Sequence, residues 1–138
     1  MPAPDERVIA WGDELIKLHD GFRRQLADLR RGVIRTPREL AEHCLAFCDA
    51  LHAHHTGEDT ALFPHLRDHH PELTAALSRL HTEHEAIAVL LARIRALDET
   101  SLPTELDRLA TELEAHLDYE EAQLVPVLNT MTDLPENA

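Results

Sequence analysis

The chain of 138 residues is poor in glycine, aromatic residues and positive charge. Four glycines leave little for hairpins or phosphate loops, and aromatic residues make up only 4%. The abundance of Leu, Ala and Glu favours helix instead. With 26 acidic and 13 basic residues the net charge is −13. Because phosphate contacts need a basic face, this charge argues against nucleic acid as a partner and against an anionic membrane surface.

The chain also lacks an uninterrupted run of 18 apolar residues and a secretory signal pattern at its start. We therefore expect no membrane partner and a cytoplasmic location. Its two cysteines, Cys44 and Cys48, are four residues apart in a predicted helix. A disulfide there would strain the helix, so small buried apolar residues are favoured over a redox pair. The length predicts one domain over 1–138, with a core over 8–128 and short tails.

Prolines at helix starts and apolar residues at three- and four-residue spacing predict an all-α fold. The four predicted helices run over Asp5–Arg31, Pro37–Arg67, Pro71–Leu97 and Pro103–Asn129. Their connections are short, which places successive helices side by side and antiparallel. The predicted architecture is an up-down-up-down four-helix bundle.

One motif occurs twice, at an offset of 62 residues. Both copies read His-x3-Glu-acidic-x2-Leu-x-Pro-x-Leu, the first from His54 and the second from His116. Residues four apart share a helix face, so His54 and Glu58 lie together, as do His116 and Glu120. Pro64 and Pro126 each fall inside a helix and predict matched bends. The repeat predicts two half-sites that meet around a metal.

The other two helices each carry a histidine beside their apolar stripe, His19 and His84. A single histidine of this kind is usually a hydrogen-bonded core residue. Four of them on four helices with two core-facing glutamates favour a metal site, since buried carboxylates are costly without a cation. Imidazole and carboxylate suit iron, zinc or manganese. Four histidines and two carboxylates fit a pair of ions better than one, with each Glu bridging both.

These motifs resemble the hemerythrin-like, or HHE cation-binding, domain, and the resemblance extends over roughly Val8 to Leu128. The family's pattern is a His on helix 1, His-x3-Glu on helix 2, a His on helix 3 and His-x3-Glu on helix 4. The resemblance implies two non-heme iron ions joined by an oxo or hydroxo bridge, with zinc or manganese less favoured. It implies dioxygen, peroxide or nitric oxide as the small ligand, and leaves any protein partner open. The implied metal ligands are His19, His54, Glu58, His84, His116 and Glu120.

The chain departs from the oxygen-carrying hemerythrins on helix 3, where those proteins have His-x3-His. Here Leu80 stands four residues before His84, and His81 stands three residues before it. His81 either reaches the metal as a fifth histidine or points elsewhere. The second alternative is favoured because residues three apart diverge by about 60° around a helix. It would leave both irons with open positions, favouring redox chemistry or sensing over bulk oxygen carriage.

Several further residues are expected around the site rather than in it. His55 has a leucine as its counterpart in the repeat, so we place it in the outer shell or at the rim. Tyr119 is either an interface residue or close enough for its hydroxyl to meet a metal-bound ligand. Glu85 and Glu121 are either surface residues or outer-shell groups that orient ligand imidazoles. No catalytic residue is assigned. The main hypothesis is di-iron redox, peroxide or nitric oxide chemistry, which includes a catalase-like activity. The alternative is a non-catalytic metal-binding or sensing module.

Overall fold

A computed structural model describes residues 10–31, 37–96 and 101–131. Its helices are α1 (Trp11–Arg31), α2 (Pro37–Gly57), α3 (Phe63–His69), α4 (Thr74–Ala96) and α5 (Leu102–Leu128). A π-helical turn, Glu58–Leu62, joins α2 to α3, and a 3-10 turn, Pro71–Leu73, precedes α4. The α2–π–α3 segment forms one rod of the bundle. The described residues contain no strand, which confirms the all-α prediction.

Contacts along the rods show the antiparallel arrangement. The start of α1 meets the end of α5, where the Gly12 N–H donates to Asn129 Oδ1 at 2.7 Å. The other end of α1 meets the start of α5 through Arg30 and Asp107, 3.0 Å apart. A Cβ on Gly12 would lie 2.7 Å from Asn129 and from the α5 backbone. The close approach of these two ends therefore requires glycine.

The predicted helix boundaries agree with the structure to within a few residues. The predicted start at Asp5, the connections at 32–36 and 97–100 and the last seven residues lie outside the described residues. Cys44 and Cys48 are buried free thiols in α2. No described helix combines the length and hydropathy needed to cross a membrane.

The two prolines of the repeat lie in different surroundings. Pro64 follows the π turn, whose wider winding lets the Phe63 N–H reach the Glu58 carbonyl five residues earlier. A π turn is one way for a backbone to accommodate a proline, which cannot donate to the carbonyl four residues before it. Pro126 lies in the last turn of α5, in continuous α-helix. The expected match between the two positions is therefore absent from the local backbone.

The bundle interior consists of two apolar clusters separated by a polar layer. One cluster includes Phe22, Ile87 and Leu113, and the other includes Leu15 and Leu80. His19 falls between Leu15 and Phe22 on α1, and His84 falls between Leu80 and Ile87 on α4. Both histidines are buried. The fold thus brings its interior histidines to one level of the bundle.

Candidate metal centre

The polar layer contains seven side chains with metal-binding atoms, and they fall into two groups. The atoms within each group lie within 4.8 Å of one another. The first, called here the three-histidine group, consists of His55, His84 and His116. The second, called here the two-histidine group, consists of His19, His54, Glu58 and Glu120.

The Glu58 carboxylate lies between the two groups. Its Oε2 is 3.4 Å from His54 Nε2, in its own group. Its Oε1 is 3.2 Å from His84 Nε2, in the three-histidine group. The side chain is 4% exposed, so this carboxylate has almost no water to solvate it. One oxygen is therefore available to an ion in either group.

Glu120, on α5, repeats this arrangement from the opposite side. Its Oε2 lies 3.6 Å from His19 Nε2 and its Oε1 lies 3.4 Å from His116 Nε2. Burial, followed by the nearby Glu58 carboxylate, raises the pKa of Glu120 to about 8. Two facing carboxylates in a dry interior resist ionising together unless a cation offsets their charge.

Carboxylates outside the layer hold the histidine rings from behind. The Nδ1–H of His19 donates to Glu121 at 2.8 Å, and the Nδ1–H of His84 donates to Asp59 at 2.9 Å. Asp59 and Glu121 are counterparts in the repeat. A proton fixed on Nδ1 leaves the lone pair of Nε2 facing the interior, which is the usual arrangement for a metal-bound imidazole.

A third outer carboxylate, Glu83, was not singled out from the sequence. It accepts the Nδ1–H of His116 at 2.8 Å and is itself paired with Arg79 at 3.0 Å. Its position one residue before His84 carries no periodic signal, because neighbours on a helix point about 100° apart. Only the packing of α4 against α5 brings it to His116.

The interior atoms fit a cation better than they fit one another. The Nε2 atoms of all five histidines and both oxygens of the two glutamates are buried without a hydrogen-bond partner among the described residues. Buried polar atoms are normally paired, and an unpaired set of this size is costly. The donor set consists of neutral nitrogen and anionic oxygen, which suits a divalent transition metal.

The protonation equilibria of three of these histidines agree with this fit. Burial, and then the neighbouring His54, lower the pKa of His19 to about 3. Burial likewise lowers the pKa of His84, against the opposing effect of Asp59, and lowers that of His55. Burial also acts downward on the pKa of His54, but the nearby Glu58 carboxylate outweighs this effect and raises the pKa. Neutral imidazole is the form that binds a metal.

The six histidine and glutamate ligands implied by the family resemblance all lie in this layer. His55 lies elsewhere than expected, whereas His81 points away from the layer, which is the favoured alternative. The sequence predicts His55 in the outer shell or at the rim, yet it is 3% exposed and its ring stacks on His84 with 3.9 Å between centroids. His81, the uncertain candidate, has a side chain that is 53% exposed and faces Asp59 at 3.2 Å. Its atoms belong to neither group.

The other residues expected around the site, Glu121, Glu85 and Tyr119, differ in what they contact. Glu121 contacts His19 as described above, whereas Glu85 is exposed and lies 4.0 Å from His81 rather than beside a buried histidine. Tyr119 packs partly buried against the second apolar cluster. Its ring lies under the Arg79 guanidinium, 3.7 Å from the ring centroid. Through Arg79 it contacts the Glu83 support rather than the interior atoms.

A cavity of about 370 Å³ reaches the two-histidine group from the side of α1 and α2. It is lined at its inner end by His54 and Glu58 and elsewhere mainly by apolar side chains. His54 is the member of that group with residual solvent access, its side chain being 14% exposed. A small molecule could therefore approach this group from outside the bundle.

Comparison with known families agrees with the site. The family model for the hemerythrin HHE cation-binding domain matches residues 13–128. The chain therefore belongs to this family of cation-binding helical bundles, as its motifs predicted. No match is found among curated proteins or among solved structures.

Proposed function

We propose that the protein is a non-heme di-iron protein in which Glu58 and Glu120 bridge two ions. One observation carries the proposal: each buried carboxylate places one oxygen beside a histidine of each group, at 3.2–3.6 Å. A single ion would not need carboxylates that face two separate clusters of imidazoles. The His/Glu donor set suits iron, with zinc and manganese less favoured.

The two ions would be held unequally. His55, His84 and His116 would hold one, and His19 and His54 the other. When bound, an iron pair supplies reversible redox change and an open position for a small ligand. The protein offers fewer nitrogen donors at the two-histidine group, and the cavity leads there. We infer that dioxygen, peroxide or nitric oxide binds on that side.

Solvent access favours redox, peroxide or nitric oxide chemistry over bulk oxygen carriage. The missing fifth histidine on helix 3 does not support this choice, because His55 offers a fifth imidazole. The better support is the cavity, whose lining includes Glu14 and Leu18, 52% and 47% exposed. Water and protons can enter through such a mouth, whereas a carrier must shield a bound oxygen from both.

The residues of the chain have defined tasks in this proposal. Asp59, Glu83 and Glu121 hold the Nδ1 protons and so orient the imidazoles. Glu120, whose pKa is about 8 without a cation, would release its proton when a metal enters. A cytoplasmic location fits the two free thiols, since the cytosol keeps cysteines reduced.

An iron count combined with an ultraviolet–visible spectrum of the purified protein tests the proposal. We expect close to two irons per chain and spectral changes when peroxide or nitric oxide is added. One zinc per chain, or no metal after reconstitution with iron, would refute the di-iron centre. Two irons without any response to these ligands would instead indicate a non-catalytic metal-binding or sensing module.

A further inference from the structure

The cavity beside the two-histidine group contains a glycine that the backbone does not require. Gly57 has φ −60° and ψ −41°, ordinary helical values that any residue adopts. A Cβ added there would meet no atom within 4 Å. Glycine inside a helix is less stable than alanine because it loses more conformational freedom. The effect of glycine here is to keep space open next to Glu58.

That space is much larger than a diatomic ligand needs. A diatomic molecule is comparable in size to water, which occupies about 30 Å³ in the liquid. The cavity measures about 370 Å³. Apolar cavities of about 150 Å³ are large enough to bind benzene, and small-molecule sites begin at about 300 Å³. Its volume is therefore that of a site for an organic molecule.

The lining restricts the chemistry of that molecule. Besides His54 and Glu58, the walls are mostly apolar and include Trp11, Leu15 and Leu62. The charged side chains among the lining residues are the carboxylates Glu14 and Glu58. The Glu14 carboxylate at the mouth repels an anion, and none of the described lining residues is a lysine or arginine that would attract one. The charge of Glu58 would be offset by the ions that it holds in the iron-loaded protein. Lys17, paired with Glu14 at 3.3 Å, reduces the attraction of the mouth for a cation.

We propose that this cavity binds a small, uncharged, apolar organic molecule of about the size of a single aromatic ring, with Gly57 as the residue that admits it. The binding itself depends on the cavity alone. The role of the molecule as a substrate or effector of the neighbouring ion rests on the proposed di-iron function. Binding would place it against Glu58 and His54, within reach of the two-histidine group.

The proposal is tested by measuring how toluene and its charged counterpart, benzoate, bind to the iron-loaded full chain. Titration calorimetry is expected to show saturable toluene binding that Gly57→Phe weakens at least tenfold. Gly21→Phe is the matched control, because Gly21 is also helical, lies outside the cavity and has only the Arg24 side chain at 4.0 Å from an added Cβ. Iron content and thermal unfolding of both variants show that each is folded and loaded.

Each outcome bears on one claim. Toluene binding that is lost in Gly57→Phe, kept in Gly21→Phe and at least tenfold tighter than benzoate binding supports the proposal. Absence of saturable binding by protein that holds two irons overturns it and leaves the di-iron function standing. Equal weakening in both variants refutes the location, and equal affinity for benzoate refutes the ligand class. Gly57-dependent toluene binding without any iron supports the cavity site and refutes the di-iron function.

Discussion

The two halves of the repeat form unequal parts of the centre. His116 on α5 is the counterpart of His54, but the residue after His54 is His55, whereas the residue after His116 is Leu117. Both His55 and Leu117 are buried, the leucine completely. One histidine-to-leucine difference between the halves therefore gives one group three imidazoles and the other two.

A second difference reinforces the first. At the offset of 65 that relates His19 to His84, the counterpart of Glu83 is Leu18. Glu83 supports His116 from behind, while Leu18 is exposed and lines the cavity near His54. The three-histidine side thus has one more carboxylate support, and the larger cavity opens on the two-histidine side. The internal repeat provides a nearly symmetric set of ligands. Leucine at positions 18 and 117 makes the surroundings of its two halves different.

The largest expected effect is loss of both ions from Glu58→Ala and from Glu120→Ala. Each carboxylate faces both groups, so removing either one weakens both half-sites. Asp59→Ala and Glu121→Ala are the matched controls, since these side chains contact the histidines only from outside. Metal analysis after iron reconstitution is expected to show most metal lost in the first pair and retained in the second. Equal metal content in all four variants would contradict the bridging arrangement.

Replacing His55 by leucine tests the comparison directly, because it copies the other half of the repeat. We expect His55→Leu to retain close to one iron, since the three-histidine group loses a nitrogen donor while the two-histidine group keeps all of its own. His81→Ala is the control and is expected to keep both irons with little spectral change. Two irons and an unaltered spectrum in His55→Leu would show that His55 is a structural residue and not a metal ligand.

The fold and most of the site were predictable from the sequence because they depend on local periodicity. Apolar spacing and prolines at helix starts fix four helices, and His-x3-Glu places two ligands on one face. His55 was not predictable in this way, because adjacent helical residues diverge by about 100° and do not normally face one interior. Both His54 and His55 reach inward at the polar layer, because the packing of the four rods makes the interior wide there. Glu83 and the cavity likewise arise only from contacts between helices.

Removing the metal is expected to lower the melting temperature by on the order of 10 °C. A ligand present at a thousand times its dissociation constant stabilises the folded state by about 4 kcal/mol, and about 1 kcal/mol moves the melting point of a chain of this size by several degrees. Calorimetry of apo- and iron-loaded protein measures the difference. Coinciding melting points would mean that metal binding is not linked to folding.

Acid should destabilise the apo-protein further, from about pH 6.5 downward. His19 has a pKa of about 3 when folded and 6.5 when unfolded, so over that interval the unfolded state binds a proton that the folded state does not. The lowered pKa values of His55 and His84 act in the same direction, and together the three histidines outweigh Glu120, whose raised pKa acts in the opposite direction. Denaturant titrations of the apo-protein at several pH values measure the slope. His55→Leu should reduce it, and an unchanged slope would argue against a neutral buried His55.

The smallest expected effect comes from Glu83→Leu. This variant copies Leu18, which is the counterpart of Glu83 in the other half of the repeat. Without an acceptor for its Nδ1–H, the His116 ring loses its fixed orientation and some basicity at Nε2. Loss of such a support typically weakens metal binding by about 10- to 100-fold, so both irons should remain at saturating metal but leave sooner during chelator competition. Arg79→Leu separates this effect from surface charge, because it removes the ion pair at 3.0 Å but keeps the acceptor for His116. We expect Arg79→Leu to release iron at nearly the normal rate. Equal acceleration in both variants would show that the charge of the pair, rather than the hydrogen bond to His116, distinguishes the three-histidine side from the two-histidine side.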